Sequence, residues 1–221
     1  MTTTLPMSPS TAHGKSATLR LGILASGRGT NLQAILDALA QGELDAKVAF
    51  VACNHKGVQA TERAERAGVA YGVYTQKEYG TRQAQQEAIA NRLLEEKVDL
   101  VVCAGWDRVF IPGFVAAFHG RVINIHPSLL PAFGGGLHAI RDALEYGVKV
   151  TGCTVHFLTD ELDAGPIISQ VAVPVLDNDD EESLGARIHA EEHRLLVEAI
   201  RLYSQGNLHI EGRNVRITHE D

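Results

Sequence analysis

Between residues 19 and 125 the chain alternates short apolar runs with longer helical stretches, a rhythm that few folds accommodate. An apolar run over 19–25 ends in Ser26, Gly27, Arg28 and Gly29, and a helix is expected over 31–41. A second strand over 48–53 precedes a helix over 58–67 and a strand over 69–74. The Gln- and Glu-rich stretch 81–97 reads as a long helix with Ile89, Leu93 and Leu94 on one face. Residues 98–104 are almost continuously apolar, as in a strand covered on both faces, and 121–125 forms a short fifth strand. Such alternation predicts an α/β fold, a doubly wound, mostly parallel, Rossmann-like sheet with right-handed crossovers. From residue 150 the pattern changes. Strand-like runs over 150–158 and 166–175 flank the turn-rich 159–165, then 181–204 reads as a long amphipathic helix and 206–218 as a small terminal hairpin. No internal repeat or long linker interrupts this, so one domain is expected over 20–218, behind a flexible tail at 1–19.

Composition narrows the function. With 45% hydrophobic and 21% charged residues among 221, the chain can bury a real core. A net charge of −7 argues against a broad nucleic-acid or acidic-membrane surface, though a local basic pocket for a small anion is compatible with it. No apolar stretch is long enough to span a bilayer. Cys53, Cys103 and Cys153 all fall in strand-like runs, an odd count that suits neither a disulfide framework nor a zinc site. Buried thiols in a reducing cytoplasm are the expectation. The first 19 residues are rich in Thr, Ser and Pro and lack the apolar core of a secretory signal.

Two segments carry chemistry. Ser26, Gly27, Arg28, Gly29, Thr30 and Asn31 lie between a strand and a helix, where glycines let backbone N–H groups approach an anion. Thr30 or Asn31 is also a candidate helix cap. No third fingerprint glycine follows, the second strand ends in Cys53, Asn54 and His55 without a ribose-binding acid, and there is no Gly-Lys-Ser/Thr. A phosphate monoester therefore suits the loop better than a dinucleotide or ATP. The second segment is 124–131, where Asn124 and His126 are two apart on a strand and so face one side, near the carboxyl end where open α/β sheets place active sites. Pro127 and Pro131 stiffen the exit. The turn 159–166 reads as a solvated acidic turn at Asp160 and Glu161, and Asp163 gains interest if the fold brings it to His126.

In order and spacing, the 26–31 loop, the run Ala104, Gly105, Trp106, Asp107 and Arg108, the 124–131 segment and the 155–166 segment resemble the phosphoribosylglycinamide formyltransferase family, folate-dependent enzymes of purine biosynthesis. The resemblance covers roughly 20–210 and implies a catalytic trio of Asn124, His126 and Asp163. It implies that Gly29, Thr30 and Asn31 hold the phosphate of glycinamide ribonucleotide, with His189 and Glu192 reaching its other end. Those two residues are three apart and share a helical face. For 10-formyltetrahydrofolate, the co-substrate, it implies Arg82, Asp107, Arg108, Val109, Phe110 and Asn124, with the turn Thr159, Asp160, Glu161, Leu162 and Asp163. Asp107 stands where the family often has an apolar residue, and the glycine-rich 132–137 is one residue longer than the common pattern. No function is carried onto His138, and His156 is expected beside the site in a structural or catalytic role.

The implied chemistry is attack of the ribonucleotide amine on the formyl carbon, with Asn124 and protonated His126 stabilising the oxyanion and Asp163 favouring the imidazolium. No metal is expected, nor a nucleic-acid or membrane partner, and the enzyme is expected as a cytoplasmic monomer or homodimer. A methionyl-tRNA formyltransferase would carry a further C-terminal domain, and a formyltetrahydrofolate hydrolase an N-terminal one. A silent nucleotide-binding module would need the Gly29–Asn31 cradle without the aligned trio, and a dinucleotide reductase lacks its ribose acid.

Overall fold

The computed structural model describes residues 18–218, so the tail expected over 1–19 lies outside the described residues except for its last two. Along the chain come β1 (Leu19–Ala25), α1 (Thr30–Ala40), β2 (Ala46–Cys53), α2 (Gln59–Arg66), β3 (Tyr71–Val73), α3 (Gln76–Tyr79), α4 (Arg82–Glu95) and β4 (Leu100–Cys103). There follow α5 (Pro112–Ala117), β5 (Val122–His126), α6 (Ala139–Tyr146), β6 (Val150–Phe157), β7 (Ile167–Pro174), α7 (Glu181–Ser204), β8 (Leu208–Glu211) and β9 (Asn214–Ile217). The strands form a mixed sheet in the order β3-β2-β1-β4-β5-β6-β7-β9-β8. From β3 to β5 all neighbours are parallel, while β5–β6 and β6–β7 are antiparallel.

Alternation along the strands divides the core between two layers. In β4, Leu100 and Val102 pack with Leu32 and Ile35 of α1 and Leu196 and Ile200 of α7, while Val101 and Cys103 pack with Ile89 and Leu93 of α4 and Phe114 of α5. This two-sided burial is the reason that stretch of sequence has no polar face. α7 starts at a capping box: Ser183 N–H donates to Asp180 Oδ1 at 2.8 Å and Asp180 N–H to Ser183 Oγ at 3.0 Å.

Some expectations need correction. Ile89 and Leu93 are buried, but Leu94 is 47% exposed. The inward stripe of α4 instead takes in Gln85 and Gln86, whose Nε2 groups donate to Tyr74 O and Val109 O. Three helices were not anticipated: α3, α5 and α6 span four, six and eight residues, and the first two are too short for a 3.6-residue period to show. Of these α5 does have a local signal, Pro112 in its first turn.

Candidate functional site

The parallel strands are laid down first on one side of β1 and then, from β4, on the other, and at that switch point the strand ends leave a crevice. It is a cavity of about 410 Å³ bordered by residues following β1, β4 and β5. Period 2 explains why the face of β5 is polar there. Ile123 and Ile125 point into the layer shared with α1 and α7, and Val122 into the opposite layer. Asn124 and His126 continue the Val122 face beyond its helical cover and line the cavity. On the neighbouring strand His156 is paired with Asn124, and Thr154 with His126.

The first wall of the cavity includes Gly27, Arg28, Gly29, Thr30, Asn31, His189 and Glu192. Neither Thr30 nor Asn31 caps α1. The N-cap is Gly29, in the left-handed region at φ 68°, with no side-chain cap and no acid in the first turn. Its unpaired first N–H groups therefore keep their partial positive charge toward the cavity. Glycine is required at that position for a second reason, because a Cβ would lie 2.8 Å from Ala60 Cα. Asn31 Nδ2 donates to Glu192 Oε2 at 3.2 Å, and His189 Nδ1 donates to the same oxygen at 3.0 Å. Glu192 is 4% exposed, and Asn31 Oδ1 is buried without a hydrogen-bond partner among the described residues.

The centre holds the polar cluster. His126 Nδ1 lies 3.7 Å from Asp163 Oδ2, an ion-pair distance rather than a hydrogen bond, and Nε2 donates to Phe133 O at 3.0 Å. The ring thus has one hydrogen bond, at Nε2, and a carboxylate beside Nδ1. Asp163, at φ 50°, is held from the glycine-rich loop by Gly135 N–H, which donates to Oδ2 at 2.8 Å. His156 Nδ1 donates to Phe157 O at 3.0 Å, which leaves Nε2 to accept from Asn124 Nδ2 at 3.2 Å. Burial lowers the pKa of His156 and the nearby His126 lowers it further, against opposing contributions from Phe157 O and Asp163. Neutral His156 thus fixes the orientation of the Asn124 amide. Among the described residues no group of three or more His, Cys, Asp or Glu side chains is placed to hold a metal ion, and no helix is long and apolar enough to cross a membrane.

Residues 19–200, which carry all of this geometry, match the family model described as formyl transferase. The chain belongs to the formyl transferase family. A phosphoribosylglycinamide formyltransferase of Mycobacterium tuberculosis is 44% identical over 90% of this chain and 91% of its own. The trifunctional purine biosynthetic protein adenosine-3 of Chironomus tentans is 42% identical over 85% of this chain, which spans 14% of that longer protein. Among solved structures, glycinamide ribonucleotide transformylase 1 of Symbiobacterium toebii superposes with a TM-score of 0.89 at 52% identity, covering 91% of this chain and 95% of that one.

In this formyl transferase the other wall of the cavity comes from Asp107, Arg108, Val109 and Phe110 after β4 and from Leu158, Thr159, Asp160, Leu162 and Asp163 after β6. Arg82 and Glu161 are not on the cavity wall: Arg82 opens α4, one turn before Gln86, and both it and Glu161 are exposed. Several contributors were not singled out from sequence. Trp106 lines the cavity and stacks on Phe110 at 6.1 Å between ring centroids. Gln86 Nε2 donates to Val109 O at 2.9 Å, and its Oε1 accepts from Ile111 N at 2.8 Å, so one buried amide clamps the 109–111 backbone. Thr154 Oγ1 donates to Ser128 O at 2.6 Å and accepts from Leu130 N at 3.1 Å, securing the loop that leaves His126. A buried-stripe position occupied by Gln is the signal that would have revealed Gln86.

Proposed function

We propose that this protein transfers the formyl group of 10-formyltetrahydrofolate to the amine of glycinamide ribonucleotide, giving formylglycinamide ribonucleotide and tetrahydrofolate in purine biosynthesis. The observation that carries the reading is the position of the Asn124, His126, Asp163 and His156 cluster, between a helix-terminal loop suited to a phosphate and the wall of residues after β4 and β6 that the resemblance gives to the folate. The ribonucleotide phosphate would meet the N–H groups of Gly29, Thr30 and Asn31. His189 and Glu192 would orient its sugar and amine end.

The amine nitrogen attacks the formyl carbon, a C–N bond forms and the carbonyl oxygen becomes an alkoxide. Asn124 Nδ2 carries two hydrogens, one committed to His156 and the other available to this oxyanion, with the N–H at His126 Nδ1, which is at ion-pair distance from Asp163 and not hydrogen-bonded, as a second donor. Collapse breaks the bond to N10 of the folate, and the proton that the attacking nitrogen sheds once it is bonded to carbon arrives at N10 through His126, Asp163 or a trapped water. Cys53, Cys103 and Cys153 are free and buried, and burial pushes the thiols of Cys53 and Cys153 up to about 11 and about 12, so none serves as a nucleophile. A cytoplasmic setting, which keeps these thiols reduced, completes the reading.

The test is to follow deformylation of 10-formyltetrahydrofolate by absorbance, with and without glycinamide ribonucleotide. Ribonucleotide-dependent turnover with formylated product supports the proposal. Turnover independent of the ribonucleotide would make the protein a hydrolase, and none in either case would leave a binding module.

A further inference from the structure

Asp107, acidic where the resemblance leads to an apolar residue, uses its side chain fully. Oδ1 accepts from Ser26 Oγ at 3.1 Å and Asn54 Nδ2 at 2.6 Å, and Oδ2 from His55 Nε2 at 2.7 Å. The Asp107 N–H donates to Ser26 Oγ at 3.0 Å, and Arg108 Nε lies 3.6 Å from Oδ1. Burial works to raise the carboxyl pKa, but the bonds from His55, Asn54 and Ser26 outweigh it and hold the group below the usual carboxylate range.

The partners locate the role. Ser26 follows β1, Asn54 and His55 follow β2, and Asp107 follows β4, so one carboxylate joins the carboxyl ends of three adjacent strands. Ser26 leads directly into the 27–31 loop, and Asp107 into the 108–110 segment. Each is anchored elsewhere at its far side. The loop is held from α2, where Ala60 N–H donates to Gly27 O at 3.2 Å and Arg63 Nε to Arg28 O at 2.9 Å, and the 109–111 segment is held by Gln86. The Asp107 carboxylate and the Ser26 hydroxyl connect the two anchored loops, beside the main-chain bond from Ser26 N–H to Gly105 O at 2.9 Å.

We propose that Asp107 is a positioning residue that sets the spacing between the ribonucleotide loop and the folate segment, and so between the attacking amine and the formyl carbon. This rests on the formyl-transfer reading above. A ligand held on one loop and a reactant held on the other approach productively only when that spacing is kept, which makes the bridge a determinant of rate as well as affinity.

The experiment compares wild type, Asp107→Leu, Asp107→Asn and Ser26→Ala. It measures kcat and KM for both substrates, and by calorimetry the Kd of glycinamide ribonucleotide in the absence of folate. In Asp107→Leu the expected result is a fall in kcat of between roughly ten- and a hundredfold. Its ribonucleotide Kd should weaken several-fold although Asp107 lies beyond the phosphate loop. Asp107→Asn keeps an oxygen for Ser26 and Asn54 and can donate to a neutral His55, so it should recover most of the activity, and Ser26→Ala should shift Kd in the same direction as Asp107→Leu. Should the leucine variant not fold, the Asn and Ala variants decide. Unchanged ribonucleotide Kd and kcat, with an effect confined to folate KM or to melting temperature, would overturn the positioning role alone. Absence of ribonucleotide-dependent turnover in wild type would instead overturn the formyl-transfer reading, and the proposal with it.

Discussion

Gly27 and Gly29 sit two residues apart in one loop, yet alanine should be tolerated at the first and not at the second. Gly29 has φ 68°, where an L-residue pays about 1–2 kcal/mol. Its Cβ would also stand 2.8 Å from the Cα and 2.9 Å from the Cβ of Ala60, and backbone cannot rotate out of the way. Forcing α2 outward adds an overpacking cost of about 1–3 kcal/mol. Gly29→Ala should therefore lose about 2–5 kcal/mol, or roughly 4–20 °C in Tm for a chain of this size. The same displacement strains the Ala60-to-Gly27 and Arg63-to-Arg28 bonds, so ribonucleotide affinity should fall with it. A Cβ on Gly27 meets nothing within 4 Å, and Gly27→Ala should stay within about 0.5 kcal/mol of wild type. Urea and thermal unfolding followed by circular dichroism, beside calorimetric titration with the ribonucleotide, would separate the two. Equal stability of both variants would refute the reasoning, because it would mean that neither the left-handed backbone nor the contact with Ala60 matters.

Other predictions concern the cluster and the core. His126→Ala and Asp163→Asn should lower kcat by about 10²–10⁴ while leaving ribonucleotide Kd within a few-fold, and near-normal kcat in either would remove that residue from the mechanism. His156 has a folded-state pKa below its ordinary value of 6.5, so the unfolded chain binds more protons between the two values. Its contribution to stability is complete above about pH 6.5 and is lost as pH falls through the folded pKa; urea midpoints measured from pH 7.5 to 5 should drop, and less steeply in His156→Gln. Leu93→Ala, at a fully buried position, should cost about 2–5 kcal/mol, whereas Leu94→Ala, at a 47% exposed one, should cost no more than about 0.5. Similar losses at both would contradict the packing of α4.

Much of the fold was legible because its signals are local. The apolar run around β4, the glycine turn after β1 and the long periodic stretch of α7 each report their environment within a few residues. The pairing of Asn124 with His126 on one face followed from strand geometry alone. Leu94 was misplaced because three apolar residues define a face only until the neighbours are known; the face that packs contains Gln85 and Gln86, whose partners come from other loops. The short helices α3 and α5 have too few turns to leave a period.

What the sequence by itself determined was therefore the class of fold, the succession of its long elements, and, through the resemblance of its motifs, the kind of chemistry. What the tertiary structure decided was convergence. Asp163 comes within 3.7 Å of His126, and Asn31 bonds to Glu192 across a separation of 161 residues. The strand order, not any local pattern, brings these groups to one crevice. The network of Asp107 belongs to the same class: Ser26, Asn54 and Asp107 are remote along the chain and meet because β2, β1 and β4 lie side by side. A hydrogen bond acts over about 3 Å, so which polar groups are partners is settled only once the strands have been placed.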